Sequence, residues 1–175
     1  MTEPPRPLLV LMRVVDGISE WSGRVFAWLV IPLVLGLTYE VIMRYGFDAP
    51  TIWAYDTSYM LYGSHFMLGA AYTLLKRGHI RTDFFYDHWP VRRQAAVDAF
   101  CYLFLFFPGM IFFFWAAWDA AAHSWLIRET SEASAWRPPI YPFKTVMPVS
   151  ALLVLLQGVS ELIKCFYALR TGRWP

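Results

Sequence analysis

The strongest constraint on this chain is a set of four apolar stretches free of Asp, Glu, Lys and Arg: Val25 to Tyr39, Thr57 to Leu75, Ala99 to Trp118 and Thr145 to Ser160. A helix that crosses a bilayer needs about 20 mostly apolar residues. Two of the stretches reach that length and two fall short. The first extends through Glu40 to Arg44, and the fourth past Glu161 to Ile163, if those charges pair or snorkel toward head groups. Of the 175 residues 58% are apolar and 16% charged, where a soluble domain has roughly 45–50% and a quarter. The excess lies in blocks, and blocks of this kind read as lipid-facing helices.

The expected fold is therefore an all-α integral membrane protein with four transmembrane helices plus an N-terminal interfacial amphipathic helix. As one membrane domain, 1–175, it divides into an interfacial helix over 8–20 and spans over 21–45, 55–76, 94–122 and 145–168. Within Leu8 to Glu20, Arg13, Asp16 and Glu20 recur at helical spacing opposite Leu8, Leu11, Met12 and Val15. That pattern predicts a helix in the plane of the interface, with a frayed tail as the alternative. The apolar run after Arg24 has no small-residue cleavage pattern behind it, so no cleavable signal peptide is expected. Pro32, Pro108 and Pro148 fall in or near spans, and a kink is expected at Pro108-Gly109.

Orientation follows from the basic residues in the connections. Arg6, Arg13, Arg24, Lys76, Arg77, Arg81, Arg92, Arg93, Lys164, Arg170 and Arg173 fall on one side, and Arg44, Arg128, Arg137 and Lys144 on the other. Eleven against four places both termini and the second connection in the cytoplasm. Trp53, Tyr55, Trp115, Trp118, Trp125 and Trp136 then form an outer aromatic belt, and Trp21, Phe84, Phe85, Tyr86, Trp89 and Tyr167 an inner one. Cys101 and Cys165 lack the paired spacing of a redox or zinc motif.

No phosphate loop, metal-binding His pair or nucleophile turn occurs, so no enzyme is expected, and no catalytic residue, cofactor or metal is assigned. A haem-binding or quinone-linked membrane anchor of a redox complex is the competing class, because small helical membrane proteins can hold haem between histidines. His65 is the one histidine inside an expected span. It is expected to hydrogen-bond across a helix interface or to a partner subunit. A homo-oligomeric channel or carrier would need polar rings along a span, and the second and third spans offer mainly Ser64, His65 and Thr73.

Glu40 and Arg44 stand four residues apart, acid first, which is the better orientation for a helical ion pair. Ionisable groups at such depth face protein or water instead of lipid. The helix then breaks over Gly46 to Pro50, Trp53 and Asp56 open the next, and Gly69-Ala70-Ala71 offers a small-residue patch for close helix approach.

Taken in order, Glu40, Arg44-Tyr45, Phe47, Pro50, Trp53 and Asp56, then Phe66 to Ala71, then His79-Ile80-Arg81 and Asp83, resemble the small membrane subunit of TRAP transporters, the tripartite ATP-independent periplasmic systems. Asp56 stands where that family more often has Glu. The resemblance implies a small permease subunit in the bacterial inner membrane. It would act as scaffold for a large elevator-type membrane subunit in sodium-driven, binding-protein-dependent uptake of an organic acid. The implied partners are that large subunit, as a heterodimer, a periplasmic substrate-binding protein, and membrane lipid, with no nucleic acid. Glu40, Arg44, Trp53, Asp56, His65, Gly69, Arg81 and Asp83 are the candidates for subunit contact or structural support. The outer segment Ser124 to Lys144 is a candidate contact for the binding protein.

Overall fold

The computed structural model describes residues 6–78, 86 and 88–174. Arg81 and Asp83, with the rest of the His79 to Asp83 motif and the belt residues Phe84 and Phe85, lie outside the described residues. Among those described, the regular elements are helices: α1 (Arg6–Ala27), α2 (Val30–Gly46), α3 (Ala54–Leu75), α4 (Val91–Cys101), a π-helical turn (Tyr102–Phe106), α5 (Phe107–Ile127), α6 (Tyr141–Lys144) and α7 (Val146–Thr171). Strand pairing in that set is limited to one isolated bridge between Thr130 and Pro139.

Among the described residues, three helical stretches are long and apolar enough to cross a membrane: Pro7–Gly46, Val91–Ile127 and Tyr141–Thr171. The sequence predicts four. The difference is α3, whose 22 residues span about 33 Å at 1.5 Å per residue, long enough for a bilayer core. Its apolar residues are interrupted by tyrosines, Ser58, Ser64 and His65, so composition keeps it out of the set.

The predicted join between an interfacial helix and a first span falls at residues 20 and 21, but α1 runs unbroken through it. The break comes at Trp28-Leu29, where Trp28 N–H donates to the Val25 carbonyl and Leu29 N–H to that of Phe26, a tightened turn. Pro32 explains its position, because it has no N–H to give to the Trp28 carbonyl. A similar cause acts at Pro108. Where the kink is expected, a π-helical turn stands immediately before α5 and absorbs the hydrogen bond that Pro108 cannot make.

Of the apolar face expected of α1, Met12 and Val15 are buried and Leu8 and Leu11 exposed, while Arg13 lies on the exposed side. Ser19 and Ser22 continue the buried stripe, and the helix packs on α3 and α7. Val14, Ile18 and Trp21 are exposed beside it.

The interior follows the same logic. Ala71, Ala99, Ala117, Ala121, Ala151 and Ala168 are buried, while Phe104, Phe112, Trp115 and Trp118 are exposed. Small residues let backbones approach closely where lipid gives no hydrophobic drive to associate. Gly23 lies against the Tyr72 ring and Gly158 against the Phe106 ring, each so close that a Cβ would overlap the ring. Gly69, the expected close-approach position, has open space where a Cβ would stand, and its neighbour Ala71 is the buried member of that patch. Helix α7 occupies the centre, touching α1, α3, α4, α5 and α6. It ends at Gly172, whose φ of 73° closes the helix with an N–H bond to the Ala168 carbonyl at 2.8 Å.

Candidate functional site

At one end of the helix bundle, Glu40 ties the end of α2 to the start of α3. Its Oε1 accepts from Arg44 Nε at 2.9 Å and also from Arg44 Nη2. Its Oε2 accepts from the Thr51 N–H at 2.9 Å and from the Thr51 hydroxyl. Both carboxylate oxygens are thus engaged, and the pair holds the 47–53 connection against α2. Trp53 completes the joint by stacking on Tyr39, with ring centroids 5.9 Å apart.

Asp56 sits in the first turn of α3, where the helix dipole favours a carboxylate. Only 2% of it is exposed. Its Oδ1 accepts from the Ser131 hydroxyl at 2.6 Å, and its Oδ2 accepts from that of Ser134. The connection between α5 and α6 is therefore folded down onto α3. Its own frame is a Ser131 N–H bond to the Pro138 carbonyl (2.8 Å), an Ile140 N–H bond to the Glu129 carbonyl (3.0 Å), and a Glu129–Lys144 ion pair. The hydrogen bonds from Lys144 hold the Glu129 carboxyl below its ordinary value. Trp125 Nε1 donates to Thr145 Oγ1 at 2.8 Å and pins the exit of α5 to the entry of α7.

The opposite half carries a second polar centre that sequence reasoning missed. Gln157 is fully buried in α7. Its Oε1 accepts from Ser19 Oγ at 2.7 Å, and its Nε2 donates to Asp16 Oδ1 at 3.0 Å and Glu161 Oε1 at 3.1 Å. Ser160 donates to Asp16 at 2.7 Å. Lys164 lies between the two carboxylates, 2.9 Å from Asp16 Oδ2 and 2.6 Å from Glu161 Oε1. The signal for it was present in Gln157, Ser160, Glu161 and Lys164, whose spacing of three, four and seven puts four polar residues on one face of an apolar helix. A buried set of this kind is stable only when every member is satisfied, as these side chains are.

The remaining candidates are dispersed. His65 Nδ1 lies 3.0 Å from the Phe26 carbonyl, so the ring N–H donates across the α3–α1 contact. Among the described residues no group of three or more His, Cys, Asp or Glu side chains is placed to hold a metal ion.

This is a helical membrane protein whose polar side chains are mostly spent on joining its own helices. The chain matches the family model for the DctQ component of the tripartite ATP-independent periplasmic transporters over residues 33–167, and it belongs to that family. Its members are the small membrane subunits of these transporters, which are transport components and not enzymes. They work with a large membrane subunit, DctM, and a periplasmic binding protein. No curated protein matches the chain. Nothing in the helices or the family supports the haem-binding or quinone-linked anchor. The matched range begins within α2, so α1, with Asp16 and Ser19, lies before it.

Proposed function

We propose that this chain is the fixed scaffold of a sodium-driven, binding-protein-dependent uptake system for an organic acid, paired one to one with the family's large subunit. The family match carries the reading. The engagement of Glu40, Asp56, His65 and Gln157 with groups of this same chain supports it, because a solute path needs polar groups free to exchange partners. In this reading α3 is the second of four crossings: a short connection returns the chain from α2, and α3 packs along α1, α2 and α7. The basic residues put both termini in the cytoplasm of an inner-membrane protein, and the folded outer segment, with Ser131 and Ser134, faces the binding protein.

The direct test is uptake into proteoliposomes holding this chain with the large subunit. Accumulation of an organic acid should require both subunits, the binding protein and an inward sodium gradient together. Full uptake by the large subunit alone would remove the scaffold role. Topology is checked by single cysteines at Glu132 and His88 in a background lacking Cys101 and Cys165. Only the Glu132 position should react with an impermeant thiol reagent in intact cells.

A further inference from the structure

Along α3, Tyr55, Tyr59, Tyr62 and Phe66 are all more than half exposed, at 66%, 58%, 60% and 70%. Their spacing of four, three and four places them on one face as a continuous ridge. Grooves run along both sides of it. One, of about 470 Å³, lies against α2 and includes Leu37, Arg44 and Ser58; the other, of about 610 Å³, lies against α4 and α5 and includes Met67, Phe106 and Met110. A ridge between two grooves is a shape that takes helices of a partner.

The polar atoms on this face separate a protein partner from lipid. The hydroxyls of Tyr55, Tyr59 and Tyr62 form no hydrogen bond among the described residues, although Tyr59 meets the Phe143 ring and Tyr62 the Phe66 ring. Arg44 is 53% exposed. It gives Nε and Nη2 to Glu40, and its remaining N–H donors have no partner among the described residues. Tyr62 lies about 12 Å along the axis from the start of α3, inside the bilayer if α3 crosses it. Hydrocarbon offers no acceptor to the Tyr62 hydroxyl, and an unsatisfied polar group there is costly. The exposed side of α5 differs, because Phe112 and Trp115 line neither groove and present mainly hydrocarbon. Lipid suits that side.

Resting on the scaffold reading above, we infer that the α3 tyrosine ridge and its flanking grooves are the seat of the large membrane subunit, which supplies hydrogen-bond acceptors to Arg44 and the tyrosine hydroxyls. The family's partner is itself a membrane protein, so it reaches this depth, as a soluble binding protein does not. The test is photo-cross-linking of the whole complex in native membranes, with benzoylphenylalanine placed singly at Tyr55, Tyr59, Tyr62, Phe112 and Trp115. The three α3 positions should yield adducts with the large subunit, at least about tenfold above those from Phe112 and Trp115. Lipid adducts alone from α3, or large-subunit adducts mainly from Phe112 and Trp115, overturn the assignment. Failure of the two subunits to co-purify overturns the scaffold reading and this one together, whereas co-purification with cross-links confined to α5 overturns this one alone.

Discussion

The two ends of the molecule are held by different kinds of polar contact. At one end the ties are distributed: Glu40 binds a neighbour in sequence, Asp56 reaches one distant segment, and Glu129 and Lys144 close that segment on itself. At the other end a single buried cluster joins α1 to α7, with Asp16 and Lys164 separated by almost the whole chain. Distributed ties fail one at a time. A cluster in which Lys164 serves two carboxylates and Gln157 serves three partners fails as a unit. The end that carries Glu40 and Asp56 is thus built to adjust locally, and the end that carries Gln157 to fix the helix frame.

The largest expected effect is therefore at Lys164. Lys164→Met leaves Asp16 and Glu161 facing each other without a cation, and removing one partner of a buried pair costs about 3–5 kcal/mol. Thermal unfolding of the purified subunit in detergent should show a large fall in Tm. Asp16→Asn combined with Lys164→Met should lose less than the sum of the single changes. Strict additivity would mean that the cluster is not a unit.

A smaller, local effect is expected at Asp56. Asp56→Ala leaves the hydroxyls of Ser131 and Ser134 without their acceptor, at about 1–3 kcal/mol for unsatisfied groups. Hydrogen exchange should quicken across residues 129–140 while the amides of α7 keep their protection. Equal loosening of α7 would show that the outer segment supports the core.

The smallest effect is a pH response of the outer frame. Because the folded Glu129 carboxyl sits below its ordinary value of 4.5, its contribution is fully present above that value. It is lost as pH falls through the depressed folded value. The protection factor of the Ile140 amide, which donates to the Glu129 carbonyl, should fall below pH 4.5 in the wild type. Lys144→Gln should lower it at neutral pH and flatten the acid response. An unchanged profile in that variant would detach the ion pair from the frame.

The same contrast explains what could be read from the sequence. Glu40 and Arg44 were legible because a helix brings residues four apart together whatever surrounds it. The serine partners of Asp56 were not, since nothing local in Ser131 or Ser134 points to a carboxylate 75 or 78 residues away. Asp16 looked like the solvated face of an interfacial helix, and only the packing of α1 on α7 turns it inward. Long apolar helices were evident from composition. Helix α3 was not secure on that ground, because its tyrosines, serines and His65 dilute its apolar character. The break near Trp28 was not legible because the expected boundary follows the charge pattern, which ends at Glu20, whereas the missing N–H of Pro32 acts on the carbonyl four residues back.

The central claim is that this subunit holds the frame and leaves the choice of solute to its partners. Specificity is a difference between affinities, so a residue can set it only by touching one solute differently from another. The most direct measurement is reconstituted uptake of two accepted solutes in competition, with the large subunit and the binding protein present. Wild type would be compared with Asp56→Ala, His65→Ala, Arg81→Ala and Asp83→Ala at matched complex levels. The account predicts that each variant lowers both uptake rates by a similar factor and leaves their ratio unchanged. A variant that reproducibly reverses the preference would place part of the solute path in this chain and contradict the scaffold role.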